Sequence, residues 1–199
     1  MRHASLWLVA CLVVAWIGCA STQTQGLQPT SRTLGPFVYF EEGSTVLITV
    51  GTQATRERGE EPFFPLEIGI ANKQHREKLI VTREMFSVQV ADGEEIPAAS
   101  AAEVIQGYRP LNADRLLFRS REFTSMYYDR YRRAPSRFYP NSQRRAGLVL
   151  ETVELNSGIF FEDVLYFRNP GFSLRGHLLR LVVRLKAGED PIVVVFRVD

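Results

Sequence analysis

Three stretches of this chain carry apolar side chains at every second position. Val46, Ile48 and Val50 are interleaved with Leu47 and Thr49, Leu66, Ile68 and Ile70 with Glu67 and Gly69, and Phe86, Val88 and Val90 with Ser87 and Gln89. Successive side chains of a strand point to opposite faces, so this period commits each stretch to a strand with one face in a core. The C-terminal third repeats it. Ile159 to Phe167 is aromatic and β-branched, Leu179, Leu181, Val183 and Leu185 alternate with Arg180, Val182, Arg184 and Lys186, and Ile192 to Val198 follows a turn at Ala187 to Pro191. The last two runs predict a terminal hairpin, and Asp92-Gly93 predicts a turn. Some seven strands predict an all-β fold, an immunoglobulin-like β-sandwich over residues 36–199. With 45% hydrophobic and 23% charged residues, the chain has the composition of a globular protein able to bury a core.

The pattern changes between the two β-rich parts. Ala98 to Gln106 follows Pro97 and carries Ser100 and Glu103 at capping-box spacing, which predicts a short helix. Asn112 to Arg133 predicts a longer one, capped by Asn112, with Phe123, Tyr127 and Tyr131 every four residues and Pro135 ending it. Together they define a helical insertion over about 97–145.

The N-terminus is set apart from the domain. Arg2 and His3 precede an uncharged apolar run, Leu6 to Ile17, followed by Gly18 and Cys19. A basic start, a short apolar run and a small residue before the cut describe a secretory signal peptide over 1–18. The run is shorter than the roughly 20 apolar residues that span a bilayer. Residues 20–35 are small and polar, and with Cys19 they read as a lipidated cysteine and flexible tether. Fully extended, such a tether reaches about 55 Å.

Trp16-Ile17-Gly18-Cys19 resembles the lipobox of bacterial lipoprotein precursors, with Trp16 where that family usually has Leu. The resemblance implies cleavage before Cys19 and acylation of its sulfur. The membrane is then a partner through lipid on Cys19. It also implies a cell-envelope location, with Ala20 pointing to the outer membrane facing the periplasm. The only other cysteine is Cys11, so a chain cut at Cys19 keeps no free thiol, and catalytic thiols and cysteine metal sites are excluded. Leu66 to Asn72, Leu79 to Thr82, Met85 to Val90 and the turn Asp92-Gly93 resemble small secreted immunoglobulin-like β-sandwich proteins of unassigned function. That resemblance implies no catalytic residues.

Local patterns for chemistry are sparse. His75 lies in a charged turn and His177 after Gly176, and neither has a second ligand type at metal-binding spacing. No metal or cofactor is expected. Glu162-Asp163 is an acidic pair in an apolar run. Neighbours on a strand face opposite ways, so the pair reads as a bulge or loop end rather than a shared acid–base site.

The most unusual segment is Arg115 to Arg145. It holds nine arginines (115, 119, 121, 130, 132, 133, 137, 144 and 145) and two acids, Glu122 and Asp129, for a formal charge of +7 in a chain of +2. Seven aromatic residues are interleaved with them. Arginine and tyrosine are enriched at protein contacts, and arginine pairs carboxylates and phosphates bidentately. The expected function is a non-catalytic accessory or assembly factor for an envelope protein complex. Tyr127, Tyr128, Arg130, Tyr131, Arg132 and Arg133 are its candidate partner-binding residues. The alternatives are a binder of anionic envelope ligands (lipid headgroups, lipopolysaccharide or acidic glycans), an envelope hydrolase, or a segment whose arginines pair with acids and whose aromatics simply pack on the sandwich. Arginine outnumbers lysine 21 to 3 across the chain, which weakens arginine as a specific signal. The exported location argues against nucleic acid as a partner.

Overall fold

A computed structural model describes residues 31–74, 76–90, 93–114, 116–118, 127–135, 138–140, 152–185 and 189–199. In chain order the strands are β1 (Arg32–Gly35), β2 (Val38–Glu42), β3 (Val46–Gly51), β4 (Phe63–Asn72), β5 (Leu79–Thr82), β6 (Phe86–Gln89), β7 (Glu95–Pro97), β8 (Arg132–Arg133), β9 (Thr152–Leu155), β10 (Ile159–Arg168), β11 (Leu178–Val183) and β12 (Ile192–Arg197). The helices are α1 (Gln53–Arg58), α2 (Ala101–Gly107) and α3 (Leu111–Asp114).

The all-β sandwich is present. A six-stranded sheet runs β1-β2-β3-β4-β10-β8, and a four-stranded sheet runs β12-β11-β6-β7. β5 and β9 pair separately. The period-two positions supply the core. Phe64, Leu66, Ile68 and Ile70 of β4 and Phe161, Leu165 and Phe167 of β10 pack in one cluster with Phe86, Val88, Leu181 and Phe196. Each such side chain contributes about 1.5–3 kcal/mol on burial. The terminal hairpin forms with Leu178 opposite Arg197 and Val183 opposite Ile192. Gly93, with a φ of 87°, is left-handed, as a turn glycine can be, while Asp92 lies outside the described residues.

The central strands depart from simple alternation. Every residue of β4 is buried, and all of β10 except its two ends. Their second face is covered too, by the insertion and α1. Val104 and Tyr108, with Leu111 and Ala54, pack on Phe63, Val164 and Tyr166, while Tyr128 packs with Leu47, Ala71 and Phe160. The molecule therefore has a third, partial layer on the outer face of the large sheet. Glu162 and Asp163 do not mark a bulge or a loop end. They sit inside β10 in unbroken register with Gly69 and Ile68 of β4, exposed by only 4% and 2%.

Two further expectations need correction. Arg32–Gly35, read as the end of the linker, pairs with β2 as β1. Ser31 is already fixed, since its hydroxyl donates to Glu41 and accepts from the Val195 N–H. The helix expected to run from Asn112 to Arg133 is not continuous: α3 starts at Leu111 and ends at Asp114, residues 116–118 are not helical, Tyr127 is helical again, and 119–126 lie outside the described residues. At the other end Arg132–Arg133 is strand, pairing parallel with Ile159 and Phe160. The short helix does form. Ser100 caps α2 by accepting the Glu103 N–H at 3.2 Å, and the Glu103 carboxylate returns to the Ser100 N–H at 2.9 Å.

The insertion is tied down by buried charge. The Arg83 guanidinium donates to the carbonyls of Ala99 and Phe138, at 3.0 and 2.9 Å, and lies 5.4 Å from the Phe138 ring centroid. Asp163 accepts from the N–H groups of Phe138, Tyr139 and Val164. Two residues in the sandwich thus satisfy backbone groups at the two ends of the insertion that would otherwise be buried unpaired.

Candidate functional site: an arginine and tyrosine surface

Residues 127–133 cross the outer face of the large sheet from β2 to β10. Tyr127 lies against Phe40 of β2, ring centroids 4.8 Å apart. The Tyr128 hydroxyl donates to Thr49 Oγ1 of β3 at 3.2 Å, and its ring stacks on Phe160 of β10. A turn closes from the Tyr131 N–H to the Tyr128 carbonyl at 2.8 Å. The chain then enters β8, where the Arg132 N–H donates to the Gly158 carbonyl and the Ala134 N–H to that of Phe160.

This path divides the six expected contact residues into two groups. Tyr128 is 1% exposed and Arg133 pairs with buried Glu162 at 2.8 Å, so these two hold the segment down. Tyr128 has no surface to offer a partner. Arg130 and Arg132 are exposed and form no ion pair with a described residue, while Tyr127 and Tyr131 are half-buried. Burial and the nearby Glu42 carboxylate push the Tyr127 hydroxyl up from its ordinary range. Cys19, His75, Phe123 and the arginines at 115, 119, 121, 137, 144 and 145 lie outside the described residues.

Arg32 and Phe40 join this surface. The Arg32 guanidinium lies 5.6 Å from the Phe40 ring centroid, on the ring that Tyr127 contacts. A shallow cleft of about 310 Å³ opens beside them, lined by Glu42, Ser44 and Lys73. Lys73 pairs with Glu42 at 2.6 Å. Sequence reasoning missed Arg32 because β1 is too short to show a period. It missed Phe40 because β2 alternates for only a few residues.

At the other end of the β4–β10 pair lies a second polar cluster. Asp114 is fully buried and accepts from Arg58 Nε at 2.7 Å and the Tyr166 hydroxyl at 3.0 Å. Burial and this carboxylate raise the Tyr166 and Tyr108 hydroxyls far above the ordinary tyrosine range. The arrangement locks α1 and α3 to the sheet. Its carboxylate is enclosed by its partners, with no exposed edge for a substrate. Two other acids of β10 are also engaged, Glu162 by Arg133 on the outer face and Asp163 by three N–H groups on the inner one. Among the described residues no group of three His, Cys, Asp or Glu side chains is placed to hold a metal ion. No helix among them is long and apolar enough to cross a membrane.

No protein-family model matches the chain, and no curated protein matches it. Two solved structures from Bacillus subtilis are similar in shape. The yjhA protein superimposes with a TM-score of 0.42 at 11% identity, over 80% of this chain and 96% of that one. The ycdA protein, described as a candidate lipoprotein, does so with a TM-score of 0.41 at 8% identity, over 79% of this chain and 38% of that one. At such scores and identities neither likeness carries an argument about function.

Proposed function

We propose that this chain is a lipid-anchored, non-catalytic binding protein of the cell envelope. In this reading it acts as an accessory factor, engaging an acidic partner through Tyr127, Arg130, Tyr131 and Arg132. One observation carries it. Tyr128 and Arg133 fasten the segment to the sheet, while Arg130 and Arg132 between and beside them stay exposed and unpaired among the described residues. A surface held rigid before it meets a partner loses little entropy on binding. Arginine and tyrosine are the side chains that gain most from such contacts.

The test compares the wild-type chain with Arg130→Glu/Arg132→Glu, scoring proteins co-purified from detergent extracts and binding to anionic vesicles. Loss of either in the variant supports the reading. Unchanged capture of both would sink it.

A second reading, in which the partner is an anionic ligand rather than a protein, is favoured by Arg32. This residue begins β1 and extends the cationic, aromatic surface to the start of the described chain.

A further inference from the structure

We infer that the Arg/Tyr surface faces the membrane holding the anchor and rests on its anionic headgroups. The inference rests on lipidation at Cys19 and on the second reading above. Its physical basis is where the chain enters the fold. Ser31 is pinned to β12 by the Val195 N–H and to β2 by Glu41. Arg32 follows at once, with its guanidinium on Phe40, and Phe40 continues through Tyr127 and Tyr128 to Tyr131 by ring contacts of 4.8, 5.9 and 5.9 Å. The root of the tether and the Arg/Tyr surface therefore lie on one face of the large sheet, joined by touching rings that lead from β1 at one edge toward β8 at the other.

Eleven residues lie between Cys19 and Ser31. They reach at most about 40 Å when extended and about 20 Å on average as a coil. The root of the tether is then the part of the domain nearest the bilayer for most of the time. Among the described residues the exposed cations carried there include Arg32, Arg130 and Arg132. Basic side chains close to an anionic leaflet strengthen association by roughly fivefold each. Half-buried Tyr127 and Tyr131 suit the same interface, because an aromatic ring with a polar tip settles at headgroup depth. The cleft lined by Glu60, Glu61 and Phe172 stands near the Phe63 and Arg168 ends of β4 and β10, the ends opposite Phe160. Ten-residue strands place it on the order of 30 Å away, turned from the membrane.

The experiment uses mature lipidated protein in vesicles of phosphatidylcholine alone or mixed equally with phosphatidylglycerol. A fluorophore is attached through Ser44→Cys beside the patch, or through Ser173→Cys at the opposite end, and quenched by a headgroup quencher. Both serines are exposed. The expected result is several-fold stronger quenching at position 44 than at 173 in the anionic vesicles. That difference should collapse without phosphatidylglycerol, in the Arg32→Glu/Arg130→Glu/Arg132→Glu variant, and in about 1 M salt, where screening acts within roughly 3 Å. Equal quenching at the two positions, or quenching at 44 indifferent to lipid charge and salt, would overturn the inference. If the reversed variant loses a co-purified protein while its quenching is unchanged, the inference falls and the binding function stands.

Discussion

The ring of Tyr128 lies flat on the ring of Phe160, centroids 4.7 Å apart and planes 9° from parallel. This stack fastens a segment of high positive charge to the back of a β-sheet, and it turns a tyrosine that composition marks as a contact residue into a structural one. Tyr128→Ala should therefore destabilise the domain by about 3–5 kcal/mol, the usual cost of deleting a large buried ring. Arg130→Ala should stay within about 0.5 kcal/mol, as exposed substitutions do. Urea unfolding of the two variants side by side checks this, with equal midpoints as the contrary outcome.

Gly69 is the floor under that ring. A Cβ there would run into Thr49 Oγ1 and come within 3.0 Å of the Tyr128 ring. Gly69→Ala should cost about 1–3 kcal/mol through overpacking. It should lose part of that cost when combined with Tyr128→Ala, which relieves the ring contact and leaves the Thr49 one, since sites that touch are not additive. A double-mutant cycle by thermal unfolding reads the coupling.

Asp163 faces the inner core yet serves the insertion, accepting the N–H groups of Phe138 at 2.5 Å and Tyr139 at 3.1 Å. Asp163→Asn has one acceptor oxygen for donors that two served, so at least one buried N–H loses its partner. The loss should be about 1–3 kcal/mol. Amide hydrogen exchange should quicken at Phe138 and Tyr139 more than at Ile68, the cross-strand neighbour of Asp163. Uniform quickening would place the defect elsewhere.

Base should unfold this protein. Burial raises the hydroxyls of Tyr128 and Tyr166, and for Tyr166 the adjacent Asp114 adds to it. A group whose pKa is raised on folding contributes stability that is fully present below its unfolded value, near 10 for tyrosine. That stability is lost as pH climbs beyond it. Above pH 10 each such tyrosine steepens the decline by about 1.4 kcal/mol per pH unit. Tyr128→Phe should flatten the alkaline limb by one such increment, read from denaturant midpoints against pH. An unchanged slope would mean that Tyr128 ionises while folded.

The strands were legible because one face of each is apolar at period two. The burial of their second face was not, because much of its cover for β4 comes from Val104, Tyr108 and Tyr128, remote in sequence. Only the small side chains at the outer positions Pro65, Gly69 and Ala71 left a trace of it. The spacing of Tyr127 and Tyr131 predicted one helix through both, but only Tyr127 is helical, and the chain then leaves through a turn closed by the Tyr131 N–H on Tyr128 and feeding β8. Residue types marked the Arg/Tyr segment as a contact surface. Which of its side chains point outward depends on Phe160, Glu162 and Thr49, long-range neighbours that no local pattern encodes.

The tether, the orientation and the membrane-facing surface all follow from the anchor at Cys19. The most direct measurement is the intact mass of the mature protein after export, with fragmentation of its N-terminal peptide. The predicted result is a chain beginning at Cys19 and carrying lipid on that residue, with Cys19→Ala abolishing the lipid. A mature N-terminus at another residue, or an unmodified Cys19, would contradict it.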